Sequence, residues 1–217
     1  MHCIALGLAW CAAAAPAATP AVAAAGVAGA PRAAVILVLG DSLSAEYGLV
    51  RGTGWVALLE QRLAQEPISA KVVNASISGD TTSGGRSRLP DLLKAHRPTH
   101  VVIELGGNDA LRGLPLDMTR DNLTAMTQAV KATQAKVMLV GMQVPPNYGA
   151  RYGKDFAALF GSIAKAQGAA LVPFLLAGVA DSARAETLFQ ADRIHPTVQA
   201  QPTMAHNVWL VLKPWLR

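Results

Sequence analysis

Five consecutive aliphatic residues, Val35-Ile-Leu-Val-Leu39, run straight into Gly40-Asp41-Ser42 with no polar side chain among them. A strand with one wet face alternates apolar and polar residues, whereas a run apolar at every position reads as a strand covered on both faces. Helices must therefore lie above and below it. The chain supplies them in alternation. Trp55–Gln65 places Val56, Leu58, Leu59 and Leu63 at the spacing of an amphipathic helix. Lys71–Asn74 reads as a second strand, Arg86–Ala95 as a helix and Val101–Ile103 as a third strand. Met118–Thr133, entered through Asp117, reads as a longer helix, and Val137–Val140 as a fourth strand. Phe156–Gln167 is a helix ended by Gly168, Ala170–Val172 a fifth strand, and a last helix runs from about Pro202 to Leu212. This alternation predicts an α/β fold, a three-layer α/β/α sandwich on a five-stranded parallel sheet. In the flavodoxin-like order 2-1-3-4-5, the first strand lies between the second and third.

Residues 1–30 stand apart from this pattern. From Cys3 to Ala30 the chain is almost entirely Ala, Leu, Val and Gly, interrupted by Pro16 and Pro20. A membrane-spanning helix needs roughly 20 uninterrupted apolar residues, and the prolines break the stretch. The apolar segment near Ile4–Ala15, followed by small residues, fits an export signal, although Met1 and His2 bring no Lys or Arg. Ala21-Val22-Ala23 or Ala23-Ala24-Ala25 offers a cleavage site in preference to Ala28-Gly29-Ala30, which Pro31 follows. The expectation is an export segment over 1–30 and a single domain over 31–217. That domain would be periplasmic or secreted, with no stable membrane span after signal removal. Both cysteines, Cys3 and Cys11, fall in the export segment, which leaves the mature domain no thiol nucleophile, disulfide or Cys-ligated zinc.

The 52% hydrophobic content excludes a disordered chain, and 217 residues suit one ordinary domain. Lys and Arg outnumber Asp and Glu by 19 to 14, but the basic residues are scattered, with Arg86 and Arg88 the densest pair. No basic stripe forms, so no nucleic-acid partner is expected. A monomer is expected.

Ligand sites in open parallel sheets lie beyond the carboxyl ends of the strands. Three loops occupy that edge: Gly40-Asp41-Ser42-Leu43-Ser44, Ile77-Ser78-Gly79-Asp80-Thr81 and Gly106-Gly107-Asn108-Asp109. The expected strand order flanks the Ser42 loop with the other two, so a hydroxyl, a glycine backbone and a side-chain amide converge. Acyl transfer needs such parts. A serine hydroxyl becomes a nucleophile only beside a base, and the tetrahedral intermediate needs preorganised N–H donors. The Ser42 and Gly79 backbone N–H groups and the Asn108 side chain can provide three donors, with Gly79 allowing an approach that a Cβ would obstruct. Asp192-Arg193-Ile194-His195-Pro196 places a carboxylate three residues before an imidazole. One tight turn brings that carboxylate to Nδ1–H and leaves Nε2 for Ser42.

The set Gly40-Asp41-Ser42-Leu43-Ser44, Gly79, Gly106-Gly107-Asn108-Asp109 and Asp192-x-x-His195 resembles the SGNH (GDSL) hydrolase family. Within it, the chain is most similar to the bacterial periplasmic group of multifunctional acyl-thioesterases, lysophospholipases and arylesterases. The similarity includes Ser76–Thr81, Glu104–Asp109, Leu111-Arg112-Gly113 and Pro146-Asn147-Tyr148-Gly149. The resemblance implies Ser42 as nucleophile, His195 as base, Asp192 as its orienter, and Gly79 and Asn108 as oxyanion donors. It also implies activity on aryl esters, lysophospholipids and acyl-CoA-like thioesters, with a small-molecule or lipid ester as the partner. The chain departs from relatives at Arg193, where Gly is frequent, and over Val198–Asn207.

Other readings of the same residues fit less well. An α/β-hydrolase would carry G-x-S-x-G, but Ser44 takes the second glycine position. A metal-dependent phosphoesterase needs a ligand cluster, and Pro98 disrupts the helical spacing of His96 and His100. A non-catalytic ester-binding protein on the same scaffold is the remaining alternative. No cofactor and no metal are expected. Ser44 and Ser78 read as turn residues, Asp41, Asp80 and Asp109 as helix caps or loop-amide acceptors, and Glu104 as a paired group. Leu111, Leu114, Val144 and Tyr148 are expected to wall an acyl groove. Arg112 and Arg151 read as solvated side chains, with a substrate phosphate as the alternative contact.

Overall fold

The computed structural model describes His2 and residues 33–216. The expected export segment, including Cys3 and Cys11, lies outside the described residues except for His2. Strand β1 (Ala34–Gly40) is followed by α1 (Trp55–Ala64), β2 (Ala70–Asn74), α2 (Thr82–His96) and β3 (His100–Glu104). Then come α3 (Gly107–Leu111), α4 (Leu116–Ala132), β4 (Lys136–Val140), α5 (Ala150–Gln167) and β5 (Ala170–Val172). Helices α6 (Ala185–Leu188) and α7 (Gln201–Leu212) complete the domain.

The five strands pair in parallel in the order β2-β1-β3-β4-β5, as the alternation and the doubly wound arrangement require. Ile36, Leu37, Val38 and Leu39 are fully buried, so β1 is covered on both faces. Trp55, Leu59 and Leu63 of α1 and Val208 and Leu212 of α7 are buried in the core, as are Leu123 and Val130 of α4 and Phe156 and Phe160 of α5. Register aligns Gly40 with Glu104, so the carboxyl ends of β1 and β3 stop together at one edge.

Two helices begin earlier than the apolar periodicity indicates. Helix α2 starts at Thr82, not Arg86, because Thr81 caps it by accepting the Gly84 N–H at 3.3 Å. Gly84 and Gly85 are poor helix formers, yet a Cβ on Gly85 would lie 2.2 Å from Leu105 Cδ1. Close packing outweighs propensity there. Helix α5 starts at Ala150, not Phe156, directly after Gly149 at φ +90°. Tyr152, Phe156 and Phe160 recur every four residues along one face, the first pair stacked at 6.3 Å between centroids and the second edge-to-face at 5.4 Å. The short α3 falls between β3 and α4, where the sequence shows only a turn.

Candidate active site

Three loops at the carboxyl edge bring the expected residues together. Ser42 follows β1 in a tight turn whose backbone is closed by Ser44 N and Ala45 N donating to the Asp41 carbonyl. Its half-buried hydroxyl lies 2.9 Å from His195 Nε2. On the other side of the ring, His195 Nδ1 lies 2.7 Å from Asp192 Oδ2. Asp192 Oδ1 also accepts the backbone N–H groups of Ile194 and His195 at 2.9 and 3.0 Å. The backbone N–H of His195, with the further hydrogen bonds, holds the Asp192 carboxyl down at about 2. An ionised Asp192 against Nδ1 selects the tautomer with the proton on Nδ1 and the lone pair on Nε2.

The His195 loop is fastened to the Ser42 loop. The Gln190 side-chain amide donates to the Tyr47 carbonyl, and the Tyr47 ring lies 4.3 Å from the His195 ring at a 38° tilt, while Gln190 N closes its own turn on the His195 carbonyl at 2.8 Å. Sequence reasoning missed Tyr47 and Gln190; neither carries a local signal, because their partners are distant in the chain.

The Ser42 and Gly79 N–H groups donate to no protein acceptor among the described residues. Gly79 has φ +79°, and a Cβ there would meet only Arg112 Nη2 at 3.8 Å. The glycine therefore supplies a left-handed backbone rather than the clearance expected from the sequence. Asn108, at the start of α3, differs from these free donors. Its Nδ2 donates to Asp41 Oδ2 at 3.0 Å and to the Asp80 carbonyl at 2.9 Å, so both hydrogens are engaged.

A buried polar layer supports the loops. Glu104 Oε2 accepts the Ser44 hydroxyl at 2.7 Å and the Asp41 N–H at 3.3 Å. Burial, reinforced by the Asp41 carboxylate, pushes the Glu104 carboxyl well above its ordinary range. Burial likewise raises Asp41 to about 6, against the lowering effects of the Leu43 N–H, His195 and Asn108. Ser44 is thus a buried donor as well as a turn residue. A Cβ on Gly40 would lie 2.7 Å from both Glu104 Oε2 and Ser44 Oγ, so this layer forms only over glycine. From α2, Arg88 donates to Asp80 Oδ2 at 2.8 Å, to the Ala75 carbonyl and to the Gly40 carbonyl at 3.4 Å. It ties the ends of β1 and β2 to the Gly79 loop. Asp109 accepts from the Thr82 N–H at 2.9 Å and from the Thr82 hydroxyl, which anchors the start of α2.

Arg112 is exposed, as expected of a solvated side chain, and its Nη2 also donates to the Gly79 carbonyl at 2.8 Å. Arg151 faces solvent near Asp155, at 3.9 Å. Of the expected groove residues, Leu111 is exposed, and Leu114, Val144 and Tyr148 are half-buried. Tyr148 stacks on Tyr152 at 6.4 Å, which extends the aromatic row of α5. Three surface concavities, of about 460, 550 and 380 Å³, lie elsewhere and include none of these four. Both ring nitrogens of His100 are engaged, by Thr99 Oγ1 and the Trp215 carbonyl. No three His, Cys, Asp or Glu side chains gather as a metal-ligand set among the described residues.

The family model for GDSL-like lipases and acylhydrolases matches residues 38–201, a span that holds all three loops and the His195 turn. The chain belongs to that GDSL-like family. It is 52% identical over 184 residues to the esterase TesA of Pseudomonas aeruginosa, covering 85% of this chain and 90% of that protein. It is 42% identical over 179 residues to the Escherichia coli thioesterase 1/protease 1/lysophospholipase L1, covering 82% of this chain and 83% of that one. The crystal structure of TesA matches the fold with a TM-score of 0.80 at 51% identity, covering 84% of this chain and 99% of that structure. Each alignment covers more than four fifths of this GDSL-like chain.

Proposed function

We propose that the protein hydrolyses carboxylic esters and thioesters through an acyl-enzyme on Ser42. The observation that carries this reading is the unbroken relay Ser42 Oγ, His195 Nε2 and Nδ1, Asp192 Oδ2, with separations of 2.9 and 2.7 Å. Ser42 Oγ attacks the substrate carbonyl carbon while His195 Nε2 takes its proton. Asp192 stabilises the resulting imidazolium and keeps the ring oriented. The carbonyl oxygen gains negative charge beside the Ser42 and Gly79 N–H groups and Asn108. His195 then protonates the leaving oxygen or sulfur, which departs, and water deprotonated by the same imidazole releases the acid.

Relatives named as esterase, thioesterase/lysophospholipase and, in Vibrio mimicus, arylesterase support aryl esters, lysophospholipids and acyl thioesters as the substrate class. The exposed side chains of Tyr47, Ile77, Leu111 and Ile194 support an apolar acyl group, since each adjoins a loop that carries Ser42, Gly79, Asn108 or His195. The compositional break before residue 31 supports an export signal and a periplasmic or secreted domain, and the family match begins only at residue 38. No helix among the described residues is long and apolar enough to cross a membrane.

The test is intact-mass labelling with a fluorophosphonate, before and after chelation. One adduct per chain, mapped to Ser42, insensitive to chelator and absent in Ser42→Ala, is the expected result. Full ester hydrolysis by a contaminant-free Ser42→Ala preparation would refute the assignment.

A further inference from the structure

We propose that Asp41 is a positioning residue for Asn108, holding one N–H of its amide at rest and yielding it to the substrate oxygen as negative charge develops there. This rests on the reading of Asn108 as an oxyanion donor.

An amide nitrogen has two hydrogens, and both are committed, one to Asp41 Oδ2 at 3.0 Å and one to the Asp80 carbonyl at 2.9 Å. The opposite amide orientation would set Asn108 Oδ1 against two acceptors, so the partners decide which atom is nitrogen. The Ser42 and Gly79 N–H groups have no acceptor among the described residues, whereas Asn108 must exchange a partner to join them. The Asp80 carbonyl belongs to the Gly79 loop and is a fixed backbone anchor. Asp41 is the partner that can be given up. Its Oδ1 keeps the Leu43 N–H at 3.0 Å, so the carboxylate retains a backbone donor when Oδ2 is released. The exchange replaces one anionic acceptor with another, which preserves a charge-assisted hydrogen bond.

The charged surroundings fit this role. Asp41 faces His195, Asp80 and Glu104 as well as Asn108. The Glu104 carboxyl is held toward its neutral form by burial, and the imidazolium formed during attack offsets the charges of Asp41 and the nascent oxyanion. The resting contact prevents the Asn108 amide from turning away, and its geometry is inherited from the Gly40 to Glu104 register beneath it.

Asp41→Asn tests the idea because its oxygen can keep the Leu43 contact only by turning an NH2 toward the Asn108 nitrogen, which cannot accept. With a soluble nitrophenyl ester, kcat is expected to fall roughly tenfold at nearly constant KM, but only about twofold in an Asn108→Ala background. An equal loss in both backgrounds would overturn the proposal. A crystal structure of the wild-type protein with a phosphonate on Ser42 does not depend on the folding of any variant. Asn108 Nδ2 should then contact the phosphoryl oxygen and the Asp80 carbonyl, and no longer Asp41. An adduct with Asn108 still on both Asp41 and Asp80 overturns this proposal and leaves the serine mechanism standing. Failure of Ser42 to be phosphonylated at all removes both.

Discussion

The Gln190 side-chain amide donates to the Tyr47 carbonyl at 3.0 Å, across 143 residues of chain. Its second contact is the Pro196 carbonyl at 3.2 Å, so one side chain stitches the His195 loop to the Ser42 loop. Each hydrogen bond is worth roughly 0.5–1.5 kcal/mol net. Gln190→Ala should lower Tm by about 2–12 °C and reduce kcat roughly tenfold with little change in KM. Thermal denaturation and steady-state kinetics on one soluble ester check both. An unchanged kcat would show that the stitch does not hold the imidazole in place.

Gly79→Ala separates backbone strain from steric exclusion. The site has room for a methyl group, but φ +79° is costly for an L-residue, by roughly 1–2 kcal/mol. Relief of that strain would turn the Gly79 N–H, so kcat should fall roughly 10²-fold. Gly52 at φ +86°, with nothing within 4 Å of an added Cβ, provides the control. Gly52→Ala should lose similar stability while kcat stays near the wild-type value.

Asp192→Asn should cost about 10⁴-fold in kcat, because the amide no longer enforces the Nδ1–H tautomer. Its acid stability has a definite sign. The folded carboxyl sits at about 2, below its ordinary 3.8, so its contribution is present above 3.8 and is lost as pH falls toward 2. The stability gap between wild type and Asp192→Asn should narrow across that window in acid denaturation series.

Glu104 behaves in the opposite sense. Its folded carboxyl titrates well above 4.5, so the unfolded chain loses that proton first and wild-type stability declines as pH rises above 4.5. Glu104→Gln removes this dependence while its amide oxygen still accepts from Ser44. The variant should gain on the wild type steadily from pH 4.5 upward, and denaturant midpoints measured against pH would show it. A gap that is flat with pH would mean that the carboxyl is not displaced.

Arg193 adopts φ +58°, the region that favours glycine. Arg193→Gly should remove roughly 1 kcal/mol of strain and raise Tm by about 2–4 °C, with activity retained. A lower Tm would show that the arginine contributes contacts exceeding that strain.

The sequence by itself determined the sheet and its edge. Val35–Leu39, Val101–Ile103 and Val137–Val140 are apolar without alternation, and burial on both faces follows from that pattern alone. The chain order of the Ser42, Gly79 and Asn108 loops, together with Asp192-x-x-His195, was legible because each lies at the end of a strand or in a turn of its own. Distances were not legible. Only the tertiary structure decided that Ser42 Oγ and His195 Nε2 stand 2.9 Å apart. It also placed Glu104 under Gly40, brought Gln190 to Tyr47 and engaged both hydrogens of Asn108. The physical reason is the range of each signal. Periodicity reports which face of one element avoids water, a local property. Hydrogen bonds between loops depend on strand order, register and side-chain rotamer, which exist only once residues far apart in the chain have packed together.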